Sequence, residues 1–499
     1  MAKATLDWMK DLERWLRPFL GRLGHKTRRQ MCPAYVSGLI GPGDRKSVQP
    51  MAERLALGSY DRLHHFISSG VWDAAPIEAE LIVQADKLVG GRDAVLVIDD
   101  TAMLKKGKHS VGVAPQYCST LGKIANCQTL VSLTLARREV PIMLALRLFL
   151  PESWTSDPSR LKRAGVPTAY RKPRTKSEVA LEELDRVIAA GVRFGCVLTD
   201  AGYGQSASFR QELTARELRW AVGIPRHLKV YPADVKMIRS MVRRGRPRRP
   251  TPHVLSRPAE HMLGKARWRK ISWRAGTKGK LKARFAALRV RVADGSTQWI
   301  RDKSKQHLPG EEVWLVGEHR DSGEKKYYLA NLPTQTDLRT LAATIKARWV
   351  CEQAHQQLKE EIGLDHFEGR SWQGLHRHAL MTMNRLRLPA APPPRNSKAE
   401  KKESAARPNQ PCPPYVTPFS QCSPGRRRNG VHTAENGYAA GDGLSRNCQS
   451  SVRAFGLIRP TDPHFAGKRS TLECFQIDGM LAPSPCRKGS SHVAGAGIA

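Results

Sequence analysis

Apolar residues recur at helical spacing through the first part of the chain. The segments LDWMKDLERWLRPFLGRL and PIEAELIVQADKLV place them three or four positions apart, which is the period of one face of an α-helix. The basic clusters HKTRR and DRKS lie between the two segments. We therefore predict a mostly helical region over residues 1–90, which either binds DNA or packs as a cap on the next domain.

From Asp93 onwards the apolar positions become short continuous runs, which are typical of buried strands. The runs AVLVIDD, TLVSLTLA and VPIMLALRLFL follow one another with the spacing of a meander. TKSEVALEELDRVIAAGV then returns to helical spacing and leads into the apolar run FGCVLTD. Three strands, a helix and a fourth strand is the order of an RNase H-like core. The predicted fold class is α/β, with the first part of this core over residues 91–205.

Strand-like segments continue beyond Asp200, in the order RWAVGI, ARWRKISWRA, ARFAALRVRV, EVWLVGEH and KKYYLANLP. The roughly 150 residues between Asp200 and Glu352 are too many for a single connection. We predict a mainly β insertion over residues 206–335, after which the core resumes over residues 336–388. The basic run RRGRPRRP lies in the insertion and is expected to be an exposed loop, either contacting phosphate or merely solvated.

Past Leu388 the sequence changes character. This part is rich in Pro, contains none of the 11 Trp and shows neither a helical nor a strand period. Such a composition is typical of disorder, and we expect residues 389–499 to be disordered. The helical pattern of MTMNRLRLP stops abruptly in prolines, as a frameshift with read-through would produce.

The charge balance indicates a polyanionic partner. The 499 residues include 83 Lys and Arg against 45 Asp and Glu, a formal net charge of +38, and a basic excess of this size favours nucleic acid. No apolar run reaches the roughly 18 residues of a membrane span, and the start of the chain does not have the pattern of a signal peptide. The 10 Cys form no CxxC pair, so neither a zinc site nor a disulfide framework is indicated.

Two apolar strands end on carboxylates. VLVIDD ends on Asp99 and Asp100, and CVLTD ends on Asp200. Ligands bind at this edge of α/β sheets, although an acid there is also a common turn former. A late helix that carries Glu352 would add a third carboxylate. Gathered carboxylates repel one another unless a cation lies between them, and hard oxygen ligands suit Mg²⁺ or Mn²⁺. A site with two ions that cuts a phosphodiester is the expected result.

The segment KARWVCEQAHQQLKEEIGLDHFEG is predicted to form that late helix. At about 100° per residue, Arg348, Glu352 and Lys359 share one face. The opposite, apolar face consists of Val350, Ala354 and Leu358. Taken alone, this is an ordinary solvated face with spaced ion pairs. Three lysines just past the first acidic strand are expected to touch the DNA backbone, or else to lie in a solvated loop: Lys105, Lys106 and Lys108.

Taken together, these motifs resemble a DDE transposase of bacterial insertion sequences, in the group with a Tyr-x2-Arg-x3-Glu-x6-Lys signature. The last three signature positions fall on Arg348, Glu352 and Lys359, and Ile345 occupies the Tyr position. IDDTAMLKKGKHSVGVAPQYCSTLGK and LTDAGYGQSASFRQEL further resemble the insertion-sequence 701 type. The resemblance covers about residues 20 to 388.

The resemblance implies a role for each matching residue. The first metal ligand falls on Asp100, because in this group the acid directly before Thr is the catalytic one. Asp99 is the alternative, since neighbouring strand residues point to opposite faces. The second and third ligands fall on Asp200 and Glu352.

Two further roles follow from the same resemblance. Arg348 and Lys359 are implied to contact phosphates beside the scissile bond, where their charge offsets the developing negative charge. A Trp of the β insertion is implied to stack on a flipped base, and Trp273 is the candidate, with Trp268 and Trp299 as alternatives.

The resemblance also implies the reaction and the partners. These are metal-dependent cleavage and strand transfer of double-stranded DNA, at the terminal inverted repeats of the protein's own element and at target DNA. A homodimer in the bacterial cytoplasm, associated with the nucleoid and with no membrane, is expected. Two alternatives stay open: an RNase H-like nuclease that hydrolyses without joining ends, and a non-enzymatic basic nucleic-acid-binding protein.

Overall fold

Helices dominate the first part of the chain, as predicted. In the computed structural model, which describes residues 2–41, 44–55, 60–239, 249–276, 279–300 and 304–384, they are α1 (Ala2–Gly21), α2 (Lys26–Ile40), α3 (Val48–Arg54), α4 (Tyr60–Ile67) and α5 (Ala75–Val89). Their apolar positions turn inward, because Leu16, Phe19 and Leu63 have no exposed surface. The helical prediction for this region is confirmed.

The predicted meander forms the start of a mixed sheet. Its strands are β1 (Val95–Leu104), β2 (Ala114–Cys118), β3 (Lys123–Arg137) and β4 (Val140–Leu148). β3 pairs antiparallel with β1, β2 and β4. The short strand β2 was not predicted, because its sequence APQYC contains Pro and lacks an apolar run. The other three strands include the predicted segments, but β1 runs on past Asp100 to Leu104, because it stays paired with β3, so Asp99 and Asp100 lie within the strand and not at its end.

The second half of the core alternates helices and strands. Its elements are α6 (Glu152–Thr155), α7 (Pro158–Arg163), α8 (Lys176–Ala189), β5 (Cys196–Thr199), α9 (Ala201–Gly204), α10 (Ala207–Ala215) and β6 (Trp220–Ile224). Thr175 and Glu178 form a capping box that starts α8, since each satisfies a backbone N–H of the first turn. β5 runs parallel to β1 and to β6. The strand order β4-β3-β1-β5-β6 is that of an RNase H-like core and confirms the predicted fold class.

The predicted insertion is mainly β and extends the core sheet. It contains β7 (Lys229–Pro232), β8 (Met237–Ile238), β9 (Thr251–Pro252), β10 (Arg257–Pro258), α11 (Ala259–Met262), β11 (Arg269–Gly276), β12 (Gly279–Val292), β13 (Thr297–Ile300), β14 (Ser304–His307), β15 (Glu312–His319) and β16 (Lys325–Ala330). β16 pairs with β6, and β15, β12, β7 and β10 follow in order, so that one sheet of 12 strands joins core and insertion. The strand β6, which the sequence analysis assigns to the insertion, thus pairs as a core strand.

Three helices follow the insertion: α12 (Leu338–Lys346), α13 (Trp349–Glu360) and α14 (Trp372–Met383). α14 packs among the first helices. The His378 Nδ1 atom lies 2.8 Å from the Tyr35 hydroxyl, and the Trp15 indole N–H donates to the Asn384 carbonyl at 2.9 Å. Elements from both ends of the described chain therefore share one core.

A nearly buried ion network ties the helical region to the sheet. Arg147 of β4 donates to Glu78 of α5 at 2.7 Å and to Glu183 of α8 at 2.6 Å. The three side chains are 13%, 11% and 9% exposed. Burial raises the pKa of Glu78, but the hydrogen bond and charge of Arg147 outweigh burial, and the pKa of Glu78 is lowered. The network holds three elements by charge as well as by apolar packing.

Two predictions concern residues outside those described. They are the disorder of residues 389–499 and the exposed loop formed by most of RRGRPRRP. The proposed domain boundaries stay predictions. Among the described helices, none combines the length and the apolar character that crossing a bilayer requires.

Candidate active site

Strand register places Asp99 beside Asp200. β1 and β5 pair in parallel, and their last paired residues are Ile98 and Thr199. The next residue on each strand is the aspartate, and residues level with each other on neighbouring strands point to the same face. Asp200 also starts α9, because its carboxylate accepts the Gly202 N–H at 2.9 Å.

Arg348 links Asp99 to Glu352. The Arg348 guanidinium donates to an Asp99 carboxylate oxygen at 2.5 Å and also to the Glu352 carboxylate, one turn further along α13. The Asp99 side chain is 13% exposed and that of Glu352 is 61% exposed. Asp99 is therefore the enclosed end of the cluster, and Glu352 is open to a ligand.

The electrostatics of Asp99 reflect this crowding. Burial raises the pKa of the Asp99 carboxyl to about 6, and the negative charges of Asp200 and Asp100 add to the rise, whereas the Arg348 guanidinium opposes it. Removing a charge from water favours the neutral form, and like charges nearby do the same. A cation between these acids is thus favourable, and a positive group already lies there in the form of Arg348.

Asp100 lies in a different environment. Lys176 at the start of α8 donates to its carboxylate at 2.5 Å, and the buried Tyr203 hydroxyl donates to the other oxygen. Burial raises the pKa of Tyr203 well above its usual value, and the charge of Asp100 contributes, so Tyr203 stays a donor. The structure thus brings Asp99, the alternative, to Arg348 and Glu352, while Lys176 and Tyr203 hold Asp100. Lys176 was not identified from the sequence, because it lies 76 residues from its partner.

Helix α13 has the apolar face that its sequence predicts. Val350, Ala354 and Leu358 are buried, and their packing places Arg348 against Asp99 in the middle of β1. The same side of the helix also buries Cys351 and His355.

These two side chains contact the strand behind Asp99. His355 Nε2 lies 2.8 Å from the Ser132 hydroxyl, and the Ser132 hydroxyl donates to the backbone carbonyl of Asp99 at 3.0 Å. Burial lowers the pKa of His355 to about 3, so the imidazole is neutral near pH 7. Burial also raises the pKa of the Cys351 thiol. Neither residue was singled out from the sequence, although Cys and His one helical turn apart was the available signal.

Two of the lysines expected to contact DNA are partly used within the fold. The Lys359 ammonium donates to the Ala102 carbonyl of β1 at 2.8 Å, and Lys105 donates to the Phe367 carbonyl at 2.7 Å. Burial lowers the pKa of both amines. Lys106 and Lys108 are exposed and remain accessible to a partner. The predicted phosphate contacts of these lysines stay predictions.

The candidate tryptophans differ in how far they are exposed. Trp273 is partly buried, with its ring edge-on to Phe285 at 5.6 Å and the Lys346 ammonium 5.1 Å from its centroid. Trp268 packs edge-on to His319 at 6.0 Å. Trp299 is 62% exposed. The assignment of a stacking tryptophan stays a prediction.

Comparison with known proteins gives three findings. The model of the family described as DDE superfamily endonuclease matches residues 18–280, a range that includes Asp99, Asp100 and Asp200. The chain is 30% identical over 191 residues to the probable transposase for insertion sequence element IS701 of Microchaete diplosiphon. The aligned region covers 38% of this chain and 46% of that protein. It thus spans less than half the length of that relative.

The third finding is a solved structure. The piggyBac transposase in its synaptic complex with hairpin DNA is similar with a TM-score of 0.36 and 10% identity, over 75% of this chain and 70% of that chain. Glu352 lies beyond the residues that the family model matches, so its place in the site rests on the geometry described above.

Proposed function

This chain belongs to the DDE superfamily of endonucleases, and on that premise we propose that it is a transposase of an insertion sequence, which cuts DNA and joins the cut ends. The observation that carries the proposal is the placement of Asp99 beside Asp200 on neighbouring strands, together with the Arg348 guanidinium that joins Asp99 to Glu352. Endonucleases of this family generally use divalent metal ions. The relative from the insertion sequence supports strand transfer in addition to cleavage.

Asp99, Asp200 and Glu352 are the residues that would hold Mg²⁺ or Mn²⁺, two ions in the fullest form of the site. All three offer hard carboxylate oxygens, which these ions prefer. When bound, the ions supply charge that stabilises a phosphodiester under attack. We assign Asp99 rather than Asp100 because Asp99 lies beside Asp200 and is joined to Glu352 through Arg348, whereas the Asp100 carboxylate is held away from this cluster by an ion pair with Lys176 and a hydrogen bond from Tyr203.

The basic residues around this edge bind the DNA. Arg348 contacts a phosphate beside the cut, since its guanidinium can bind an anionic oxygen bidentately. Lys359, further along α13, contacts the same DNA strand. Lys105, Lys106 and Lys108, which directly follow β1, contact the DNA backbone further from the cut. We keep Trp273 as the base-stacking residue, with the more exposed Trp299 as the alternative.

The DNA partners are the terminal inverted repeats of the element and a target duplex, held by two copies of the chain. The net charge of +38 supports a polyanion, because Lys and Arg that neutralise phosphates release counterions. We expect a dimer because transposition has to bring the two ends of the element together.

The test is a cleavage and joining assay with the full chain. The DNA that flanks its gene, cloned on a plasmid, supplies the element ends, and products formed in Mg²⁺ or Mn²⁺ are sequenced. We expect cuts at the ends of the element and their joining to new DNA. Cut ends that never join would favour the plain nuclease. Salt-sensitive binding without cutting in either metal would favour the non-enzymatic binder.

A further inference from the structure

A second set of metal-binding atoms lies behind Asp99. An Asp99 carboxylate oxygen, the Cys351 sulfur and a ring nitrogen of His355 all lie within 4.8 Å of one another. The sulfur is 3.6 Å from Nε2 and 3.9 Å from Nδ1 of His355. Cys351 has no exposed surface and His355 is 8% exposed, so the cluster is enclosed between α13 and β1.

The spacing of these atoms suits a tetrahedral ion. With metal distances of about 2.3 Å to sulfur and about 2.0 Å to nitrogen and oxygen, adjacent ligand atoms lie about 3.3 to 3.6 Å apart. The sulfur and imidazole are already within a few tenths of an ångström of this spacing. The Asp99 carboxylate oxygen lies within 4.8 Å of the other two ligand atoms, so it has to come at most about 1.5 Å closer.

Neighbouring hydroxyl groups orient both ligands of α13. The Ser132 hydroxyl donates to the Asp99 carbonyl and therefore accepts from His355 Nε2–H at 2.8 Å, which leaves Nδ1, 3.9 Å from the sulfur, as the nitrogen that can bind an ion. The Thr134 hydroxyl donates to the Cys351 sulfur at 3.6 Å, a contact that stabilises a thiolate. Metal-binding histidines are commonly held in this way through their second nitrogen.

We propose that Asp99, Cys351 and His355 form a binding site for a borderline-soft divalent cation such as Zn²⁺, and that an ion bound there inhibits DNA cleavage. Thiolate and imidazole select this class of ion, whereas the all-oxygen set of Asp99, Asp200 and Glu352 suits Mg²⁺. Asp99 belongs to both sets. On binding, the Cys351 thiol releases its proton to solvent, and the charge of the held ion opposes a second cation a few ångströms away.

Cobalt tests the binding site directly, because Co²⁺ bound to a thiolate gives an ultraviolet charge-transfer band. The full chain is titrated with CoCl₂ in the absence of DNA, as wild type and as Cys351→Ser, and the two spectra are subtracted. We expect the difference spectrum to contain the band, and ZnCl₂ to abolish it. A difference spectrum without the band overturns the proposal.

Further variants separate binding from folding. His355→Gln should weaken Co²⁺ binding by at least the roughly 10-fold to 100-fold that follows loss of an outer partner. Cys196→Ser is the matched control, because Cys196 is equally a buried thiol but not part of this cluster, and it should keep the band. Cys351→Ala replaces Cys351→Ser if thermal melting shows that the serine variant is unfolded. A band lost in Cys196→Ser and kept in the Cys351 variant disproves the assignment.

Inhibition rests on the proposed function and is measured separately. In the cleavage assay with Mg²⁺, the Zn²⁺ concentration that halves cutting should rise at least about tenfold in Cys351→Ser relative to wild type and Cys196→Ser. Equal sensitivity of all three disproves inhibition through this site. A chain that binds Co²⁺ as expected but cuts no DNA disproves the proposed function and leaves the binding site intact.

Discussion

The Arg348 guanidinium lies 2.5 Å from a carboxylate oxygen of Asp99, although 249 positions separate the two residues in the chain. Since the same guanidinium reaches Glu352, one cation joins the middle of β1 to the first turn of α13. Any metal ion that binds these carboxylates has to compete with that cation. The site is therefore assembled around positive charge before a metal binds.

Asp99→Asn is expected to abolish cleavage, whereas Asp100→Asn should stay within about tenfold of wild type. The charge of Asp99 faces Arg348 and Asp200, while Asp100 forms an ion pair with Lys176 and accepts a hydrogen bond from Tyr203. A ligand to a metal contributes several kcal/mol, or roughly a thousandfold at about 1.4 kcal/mol per tenfold. The rates at which Asp99→Asn and Asp100→Asn nick DNA in Mg²⁺ decide which aspartate is the metal ligand. An inactive, folded Asp100→Asn beside an active Asp99→Asn would restore the assignment made from the resemblance.

Glu352→Gln should separate catalysis from DNA binding. The exposed Glu352 carboxylate is replaced by an amide of the same shape, so we expect cleavage to fall roughly a thousandfold. Affinity should change little, because it comes mostly from Lys and Arg and falls steeply with salt. Gel-shift titrations at several salt concentrations are paired with the nicking assay. Equal cutting by wild type and variant would mean that the charged face of α13 is only a solvated surface.

Acid should destabilise the fold through two buried histidines. His378 Nδ1 accepts a hydrogen bond from the Tyr35 hydroxyl, because its Nε2–H donates to the Gly363 carbonyl, and His376 Nε2 accepts one from the Leu148 N–H. Each ring is therefore neutral. Burial lowers the pKa of both rings to about 4, against about 6.5 in the unfolded chain. The folded state therefore has the full stabilisation from these neutral rings above about pH 6.5. As the pH falls from there through about 4, the free energy of unfolding decreases by roughly 3 kcal/mol for each histidine.

The measurement is the melting temperature at about pH 7 and about pH 4.5. His378→Gln should reduce the difference between the two temperatures, even if it lowers both. His64→Gln, which changes an exposed ring, serves as the control. A wild-type melting temperature that is the same at both pH values would contradict the prediction.

Arg147→Ala should lower the free energy of unfolding by as much as about 3 to 5 kcal/mol, because it leaves two buried carboxylates with only the more exposed Arg186 as a cation. Glu78 and Glu183 both depend on this guanidinium. Arg14→Ala is the matched control: Arg14 also pairs with an acid, but its side chain is 73% exposed, and it should change stability by less than about 1 kcal/mol. Urea unfolding of the three proteins measures the difference. Similar losses in both variants would show that the network does not join the helices to the sheet by charge.

Much of the fold follows from the sequence, because long periodic runs dominate it. β1, β3, β4 and α8 occupy the predicted segments. The sequence does not predict β2, because its five residues contain no apolar run and only its first and last residues are buried. β6 was placed in the insertion because the sequence does not show which neighbour a strand pairs with, and only the register with β5 makes it a core strand.

The candidate site was harder to predict than the fold. The order of the acids and the face of α13 were visible in the sequence, but Asp99 and Asp100 are adjacent, and the choice between them depends on which face of β1 meets α13. Tertiary contacts alone reveal that Lys176 reaches Asp100. The contact of His355 with Ser132 joins residues 223 positions apart, and no local pattern predicts it.

The packing of α14 among the first helices has a consequence for synthesis on the ribosome. The Trp15 indole N–H donates to the Asn384 carbonyl, which lies 369 positions later in the chain. Synthesis of the residues between them takes roughly 20 to 75 s at about 5 to 20 residues per second. During this time the apolar side of the nascent helices lacks its last neighbour and is open to chaperones. Docking of α14 therefore comes late, after the rest of the described core has been made, and a ribosome that stalls before α14 leaves this apolar side uncovered.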